Sequence, residues 1–499
     1  MRRVLGVDSS TSGCKAIVWG ESGEVVAEGR ASVGLETPGP GAFEQDGEAL
    51  WAALVEAVRG AVAGLAGAGV EAVCVTHQRE TFVVCDEAGR PLAPAVTWMD
   101  GRGADEVTRA AADLGVEFLH TVTGKVPCLT PSFYKLLALW GRRPELREGR
   151  PRVADVHAFL ARRLVGEWVT SLASADPTGL VDLGRRAYSE PIVARAGLSL
   201  AQLPRLVEPG EVIGGLTREA ASVLGLPAGL PVVAGAGDGQ AAGLGAGVSG
   251  ASAYLNLGTA IVCGRRSDEA VIHRNFRTLI GAAPGSYFLE GDLKSGTFLV
   301  GWLTGRLMGA SGAAQGDLLA RIEREAASLG PGAGGVLLPY WAGVMNPYWD
   351  DLASGAIVGL RGEHGPGHVF RALLEGLACE SRLHVEGLEA AGPIDELVVM
   401  GGGAQSDLFC QIVADVTGRR VVRCATNEAS CLGAGVLAAV AAGVFADCDE
   451  ATRAMTHRGE VFTPGAARER HDALYREVYL PLYPALAPAM AALARLGGA

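Results

Sequence analysis

The chain has little that would draw it to a polyanion or hold it in a lipid bilayer. Lysine and arginine number 43 against 55 aspartate and glutamate, a formal charge of −12. No nucleic-acid partner is expected, and an anionic nucleotide would have to be held by local backbone amides and a metal rather than by bulk attraction. The 10 cysteines include no C-x-x-C pair and no cluster at zinc-like spacing. Cys14, Cys74, Cys85 and Cys263 fall in apolar strand patterns, where thiols act as small hydrophobes in a reducing cytoplasm, so no structural disulfide is expected. One uncharged stretch of membrane-like length exists, Ala429 to Ala446, but its many alanines and glycines make it a poor lipid-facing helix. It reads as a small-residue helix packed inside a second domain. The N-terminus enters a strand pattern almost at once, which leaves no room for a signal peptide and points to a cytoplasmic protein.

What is present suits a large two-domain enzyme. At 499 residues, 49% of them hydrophobic, the chain can build two cores. Its 71 glycines, about twice the usual share, fit a backbone that repeatedly comes close to ligands. Strand patterns over 3–32 and 70–98 enclose a helical pattern from Gly47 to Gly67, and helical patterns follow near 103–114, 133–142 and 155–165. The second half repeats the scheme, with strands near 252–264, 271–281 and 286–290 and helices near 295–308, 315–328 and 367–390. The run Gly243-Leu-Gly-Ala-Gly-Val-Ser-Gly250 marks a boundary and hinge at about 245–250. The tail from about 447, helical from Ala467 to Leu496 with interrupting prolines, is expected to pack back on the body.

Three motifs carry chemistry. Residues 3–19 read as a hairpin with Asp8 at its mouth and the small-residue turn Ser9-Ser10-Thr11-Ser12-Gly13; residues 253–264 repeat it around Gly258-Thr259. Short side chains leave successive amides free to point at phosphate oxygens. The apolar strand pattern Leu230–Val233 delivers Asp238 between Gly237 and Gly239, where glycines would let the backbone crowd a ligand and one carboxylate project. The strand pattern Glu396–Met400 runs into Gly401-Gly402-Gly403-Ala404-Gln405-Ser406 and then a helix, a surface for a flat base or sugar. Its spacing lacks the G-x-G-x-x-G of a dinucleotide fold.

Together these features resemble the FGGY family of carbohydrate kinases, within the actin-like ATPase superfamily that includes glycerol kinase and xylulokinase. The resemblance implies an α/β fold of two actin-like (ribonuclease H-like) domains with a ligand cleft between them. The expected division is 1–246, with sugar site and first phosphate motif; 247–446, nucleotide-binding; and 447–499, a helical tail. A family signature fits Gly355–Leu360 through His368 to Glu375, with Leu373 a mild misfit; a second is degraded around Lys135 and Trp140. The resemblance also assigns roles: Asp238 as catalytic base; Ser10, Thr11, Ser12, Lys15, Gly258, Thr259, Gly296, Gly402, Gly403 and Ser406 to ATP; Asp8 and Asp238 to magnesium (Mg2+).

The acceptor side falls in the first half. Gln78-Arg79-Glu80-Thr81 resembles the stretch with which glycerol kinase holds its polyol, and Arg79 can donate to, and Glu80 accept from, adjacent hydroxyls. Trp98 matches a family tryptophan that packs along the carbon chain, and Tyr134 and Gln240 complete the expected set. The Ser-Ser-Thr-Ser-Gly opening and the stretch from Gly166 to Asp182 look closer to xylulokinase, while Gly343-Val344-Met345-Asn346-Pro347 lacks two charges many relatives carry. The expectation is MgATP-dependent phosphorylation of a small sugar or polyol, a pentulose first and glycerol second. An actin-like ATPase machine or a non-catalytic sugar sensor are the alternatives of another class. A homodimer is one option for the assembly, which the sequence leaves open.

Overall fold

The computed structural model describes residues 2–65 and 69–497. The helix expected from Gly47 to Gly67 runs over Gly47–Val62, and residues 66–68, at the end of that expectation, lie outside the described residues. It begins where Asp46 accepts the Glu48 amide, an N-cap that satisfies one otherwise orphaned donor.

Two sheets of like topology organise the chain. The first has the strand order Val212–Gly215, Pro231–Val233, Val73–His77, Arg3–Ser9, Gly13–Gly20, Val25–Ser32. The second runs Arg277–Ile280, Tyr287–Leu293, Ile261–Ser267, Ser252–Leu257, Glu396–Met400, Arg420–Cys424, Arg458–Phe462. In each, the first strand in sequence forms an antiparallel hairpin on one side and a parallel pair on the other. The central strands read as apolar runs because helices cover both faces: Val4, Leu5 and Val7 are buried, as are Leu397, Val398 and Val399. A smaller four-stranded sheet, built from Glu44–Gln45, Ala95–Val96, Phe82–Cys85 and Arg152–Asp155, adds a separate core to the first lobe around Phe82, Phe133, Tyr134 and Trp140.

The lobes meet on two helices. Asp238–Gly245 follows strand Pro231–Val233 of the first sheet and Ala429–Ala441 follows strand Arg420–Cys424 of the second. They cross at glycines: a Cβ on Gly245 would lie 2.0 Å from the Ala429 carbonyl oxygen, and one on Gly433 2.0 Å from that of Ala241. Gly435 packs on the Trp19 indole, and Cys431 donates its thiol to the Gly6 carbonyl. The stretch expected inside the second domain therefore lies between the lobes, against the first sheet. Its alanines and glycines are needed because two helix backbones and a strand come within contact of one another.

The tail also departs from the helical expectation. Arg458–Phe462 forms the edge strand of the second sheet, antiparallel to Arg420–Cys424, before the helical run whose Tyr475, Tyr479 and Tyr483 are buried in the second core. All ten cysteines are free thiols. Among the described residues no helix is long and apolar enough to cross a membrane.

Candidate active site

Asp8 lies one residue from the end of its strand, 9% exposed, and its Oδ1 is buried without a hydrogen-bond partner. Burial raises its pKa to about 7, the nearby Asp238 charge adds to the rise, and Lys15 opposes it. In the turn beyond Asp8, Ser10 turns its amide and hydroxyl back on the Gly13 carbonyl, at 2.8 and 2.9 Å. Thr11 donates to Gln78 Oε1 at 3.0 Å and accepts from the Trp98 indole at 2.9 Å. Lys15 reaches across the lobes to Glu428 at 2.8 Å, an acid shared with Arg30.

The second hairpin is braced rather than free. Gly296 and Thr297 donate their amides to the Thr259 and Gly258 carbonyls, both at 2.8 Å, and a Cβ on Gly296 would strike the Gly258 oxygen at 2.5 Å. Of the three consecutive glycines, Gly401 sits at φ +84 with its Cβ direction 2.5 Å from Asn256 Oδ1, and Gly403 is pressed against Leu257 and Thr297. Only Gly402 faces open space, with nothing within 4 Å. Ser406 is committed: its hydroxyl accepts from the Phe409 amide at the start of helix Asp407–Thr417 and donates to Glu323.

Asp238 opens the helix that ends at Gly245, with its side chain 39% exposed. Partial desolvation raises its pKa and the Arg79 charge pulls it back. Arg79 Nε lies 3.1 Å from Asp238 Oδ1 while its Nη1 donates to Glu290 at 2.8 and 3.0 Å. The flanking glycines serve this arginine: a Cβ on Gly237 would lie 2.3 Å from Arg79 Cγ, and one on Gly239 2.8 Å from its guanidinium. The sequence reading had them make room for a ligand; the space is needed by a side chain instead.

The remaining residues expected at the acceptor divide. Gln78 is buried and fixed, donating to Gln45 and accepting from Thr11 and Thr81. Glu80, at φ 56, pairs with Arg277 at 2.8 Å, and Trp98 stays 38% exposed beside Thr11. Tyr134 does not share that exposure: it is 3% exposed in the first lobe's core, its ring 5.0 Å from Phe133. Gln240 gives its amide to the Ala173 carbonyl at 3.0 Å, leaving a buried Oε1 without a partner.

Residues the sequence reading missed complete the charge array. Arg277, Glu290 and Asp292 come from the second lobe and meet Arg79 and Glu80 of the first, with the Tyr254 hydroxyl donating to Glu290 at 3.0 Å. Arg79 and Arg277 hold Glu290 below the usual carboxylate range against its burial, whereas burial and the Glu290 charge push Asp292 above it against Arg277. A signal existed, since Glu290 and Asp292 alternate within the otherwise apolar strand Tyr287–Leu293. Glu428, which ties Lys15, was missed because it sits outside any motif.

Against known proteins, the FGGY family of carbohydrate kinases, N-terminal domain, matches residues 3–245 and its C-terminal domain residues 253–442. Glycerol kinase of Thermococcus gammatolerans is 31% identical over 487 residues, spanning 95% of this chain and 96% of that one. Xylulose kinase of Escherichia coli (strain K12) is 30% identical over 498 residues, 98% and 100% of the two chains. The crystal structure of xylulose kinase from Rhodospirillum rubrum superposes with a TM-score of 0.89 at 30% identity, covering 98% of this chain and all of that one (100%). With hairpins, glycine turn and inter-lobe carboxylates in this order, the chain belongs to the FGGY family of carbohydrate kinases, phosphotransferases that use an alcohol group as acceptor.

Proposed function

We propose that the protein transfers the terminal phosphoryl group of ATP to a hydroxyl of a small sugar or polyol, with a pentulose as the acceptor. The observation that carries this reading is Asp238, a partly exposed carboxylate that opens the inter-lobe helix and is held by Arg79. Asp238 accepts the proton of the attacking hydroxyl and aligns its oxygen with the phosphorus. In the Ser9–Gly13 turn the Ser10 amide is taken by the Gly13 carbonyl, so Thr11 and Ser12, with Gly258–Thr259, offer their amides to the phosphates, and Gly402 lies along the adenosine. Gln78, Arg79, Glu80 and Trp98 orient the acceptor. Tyr134, Lys15 and Ser406 act by holding the surrounding structure, since the polar groups of the last two are already engaged and the tyrosine is buried, while Gln240 gives its amide to Ala173 and keeps its Oε1 unpartnered.

Magnesium fits the acidic pair. Asp8 Oδ1 is an unpartnered buried oxygen, and among the described residues no group of three His, Cys, Asp or Glu could hold a metal by itself. Asp8, with Asp238 nearby, would hold the ion together with phosphate oxygens and water. When bound, the ion neutralises charge on the phosphates. Separation of the acceptor from bulk water falls to lobe closure about the 246–251 segment, because water is itself a competent acceptor.

A pentulose is favoured by the 30% identical solved xylulose kinase and by the Glu80–Arg277–Asp292 array, which offers several partners to a chain longer than three carbons. Glycerol is the second reading, favoured by Gln78-Arg79-Glu80-Thr81 and by the 31% identical glycerol kinase. A panel of ketopentoses, ketohexoses and polyols, scored by acceptor-dependent ADP release, tests both. Release equal with and without every acceptor defeats the kinase reading.

A further inference from the structure

The helix that starts at Asp238 ends, about 11 Å away along its axis, at the segment joining the lobes. There an open cavity of ≈ 820 Å³ is lined by Gly247–Ala251 and by Arg265, Arg266, Arg453 and Arg458, against only Asp268 and Asp449. This concentration of cations stands out in a chain of net charge −12.

Two of the four arginines, Arg265 and Arg453, have no ion pair among the described residues, whereas Arg266 takes up both acids of the lining, Asp268 and Asp449. Arg265 is 8% exposed and makes no ion pair among the described residues; its terminal NH groups go to the carbonyls of Gly392 and Gly250, and its Nε is buried without a partner. Burial lowers its pKa, with Glu389 and Cys263 only partly opposing. A buried guanidinium without a counter-charge is costly. Two more buried polar atoms on the lining lack partners, Arg266 Nε and Thr452 Oγ1. Arg266 is paired with Asp449, and Arg458 lies 3.5 Å from Glu396, but Arg453 is exposed and has no ion pair among the described residues. A clamp for the linker carbonyls would account for Arg265 and Arg458, yet it gives Arg453 and the orphaned Arg266 Nε nothing to do.

We propose that this cavity binds a phosphate group, as the free ion or as a phosphomonoester, through Arg265, Arg266 and Arg453. Planar guanidinium forks match phosphate oxygens, and Arg453 lines the cavity with its guanidinium exposed and without an ion pair among the described residues. Arg458 donates to the Ala246 and Gly247 carbonyls at 3.0 and 3.1 Å, at the end of the helix that Asp238 begins, so an occupant borders the segment about which the lobes move. The site is separate from the phosphate hairpins and does not depend on the identity of the acceptor.

The test uses the intact chain in magnesium-free buffer at constant ionic strength. Inorganic phosphate and glycerol 3-phosphate are titrated separately while amide hydrogen exchange is followed by peptide. Saturable protection is expected at 246–251 and 449–458, with at least a tenfold loss of affinity in Arg453→Ala and in Arg266→Gln. Tighter binding of the ester identifies a phosphomonoester as the ligand, and tighter binding of the inorganic ion identifies free phosphate. Protection confined to 8–13 and 257–260, absence of protection, or unchanged affinity in Arg453→Ala overturns the proposal. Arg453, exposed and unpaired, is the variant expected to fold as the parent does, so the result stands if Arg266→Gln does not fold.

Discussion

At matching exits of the two sheets the lobes present opposite surfaces. Strand Val73–His77 leaves the first sheet into Gln78-Arg79-Glu80-Thr81, four polar side chains locked by hydrogen bonds and ion pairs; strand Glu396–Met400 leaves the second into Gly401-Gly402-Gly403, where there are no side chains at all. The hairpin mouths differ in the same sense, since Asp8 and Asn256 each stand second from the end of the first strand of their sheet. One topology therefore yields a charged surface that can read hydroxyls and a bare one that can lie against a flat ligand. The difference resides in the few residues after each strand, which the fold leaves free to vary while it fixes their direction.

The largest effect belongs to Asp238, the carboxylate that opens the inter-lobe helix. Asp238→Asn keeps the shape of the side chain and removes its basicity, so kcat is expected to fall about 10³-fold, within the range for general-base loss. KM for ATP should stay within about twofold by the same reasoning. Near-parental turnover would reject the base assignment. Arg79→Lys comes next: a point charge cannot serve Asp238 and Glu290 at once as the planar fork does. We expect kcat/KM for the acceptor to fall about 100-fold, the size of losing a buried charged contact, with ATP kinetics little changed. An equal loss on both substrates would show that the arginine holds the lobes rather than the acceptor. The converse change is Gly401→Ala, which strains a backbone at φ +84 and drives a methyl to 2.5 Å from Asn256 Oδ1. Here KM for ATP should rise about tenfold, roughly 1.4 kcal/mol, while KM for the acceptor holds.

The sequence made the bare surface and the hairpins legible because glycine and small-residue turns are local: Gly401–Gly403 and Ser9–Gly13 need only their neighbours to be recognised. Asp238 was legible for the same reason, although its flanking glycines accommodate Arg79 rather than a ligand. What escaped is long-range. Glu290 and Arg277 gain their meaning only when the second lobe swings them onto Arg79 and Glu80, about two hundred residues away in sequence. Tyr134 lies on helix Ser132–Arg142, nearly all of whose side chains face inward, and a single tyrosine carries no sign of which side it takes. The small-residue helix Ala429–Ala441 was read correctly as a helix, but its partner, the first lobe's sheet, is not written in its own composition.

The smallest expected effect separates the lobes by stability rather than catalysis. Glu380 is fully buried in the second core, accepting from the Tyr340 and Tyr479 hydroxyls at 3.0 and 2.7 Å. Burial raises its pKa from 4.5 to about 7, with the two tyrosine donors opposing. A carboxyl raised in this way favours the folded state while it is protonated, so its contribution is complete below the unfolded value near 4.5 and is lost as pH rises through about 7. Glu380→Gln keeps an acceptor for the tyrosines and cannot ionise. Its melting temperature should therefore exceed the parent's by a few °C at pH 8, about 1–2 kcal/mol, and converge with it near pH 5. Because Glu380 touches neither strand exit, acceptor and ATP kinetics at pH 7 should both be unaltered. A variant that melts lower at pH 8 would mean that the ionised carboxylate is held by its tyrosines more strongly than its burial opposes it.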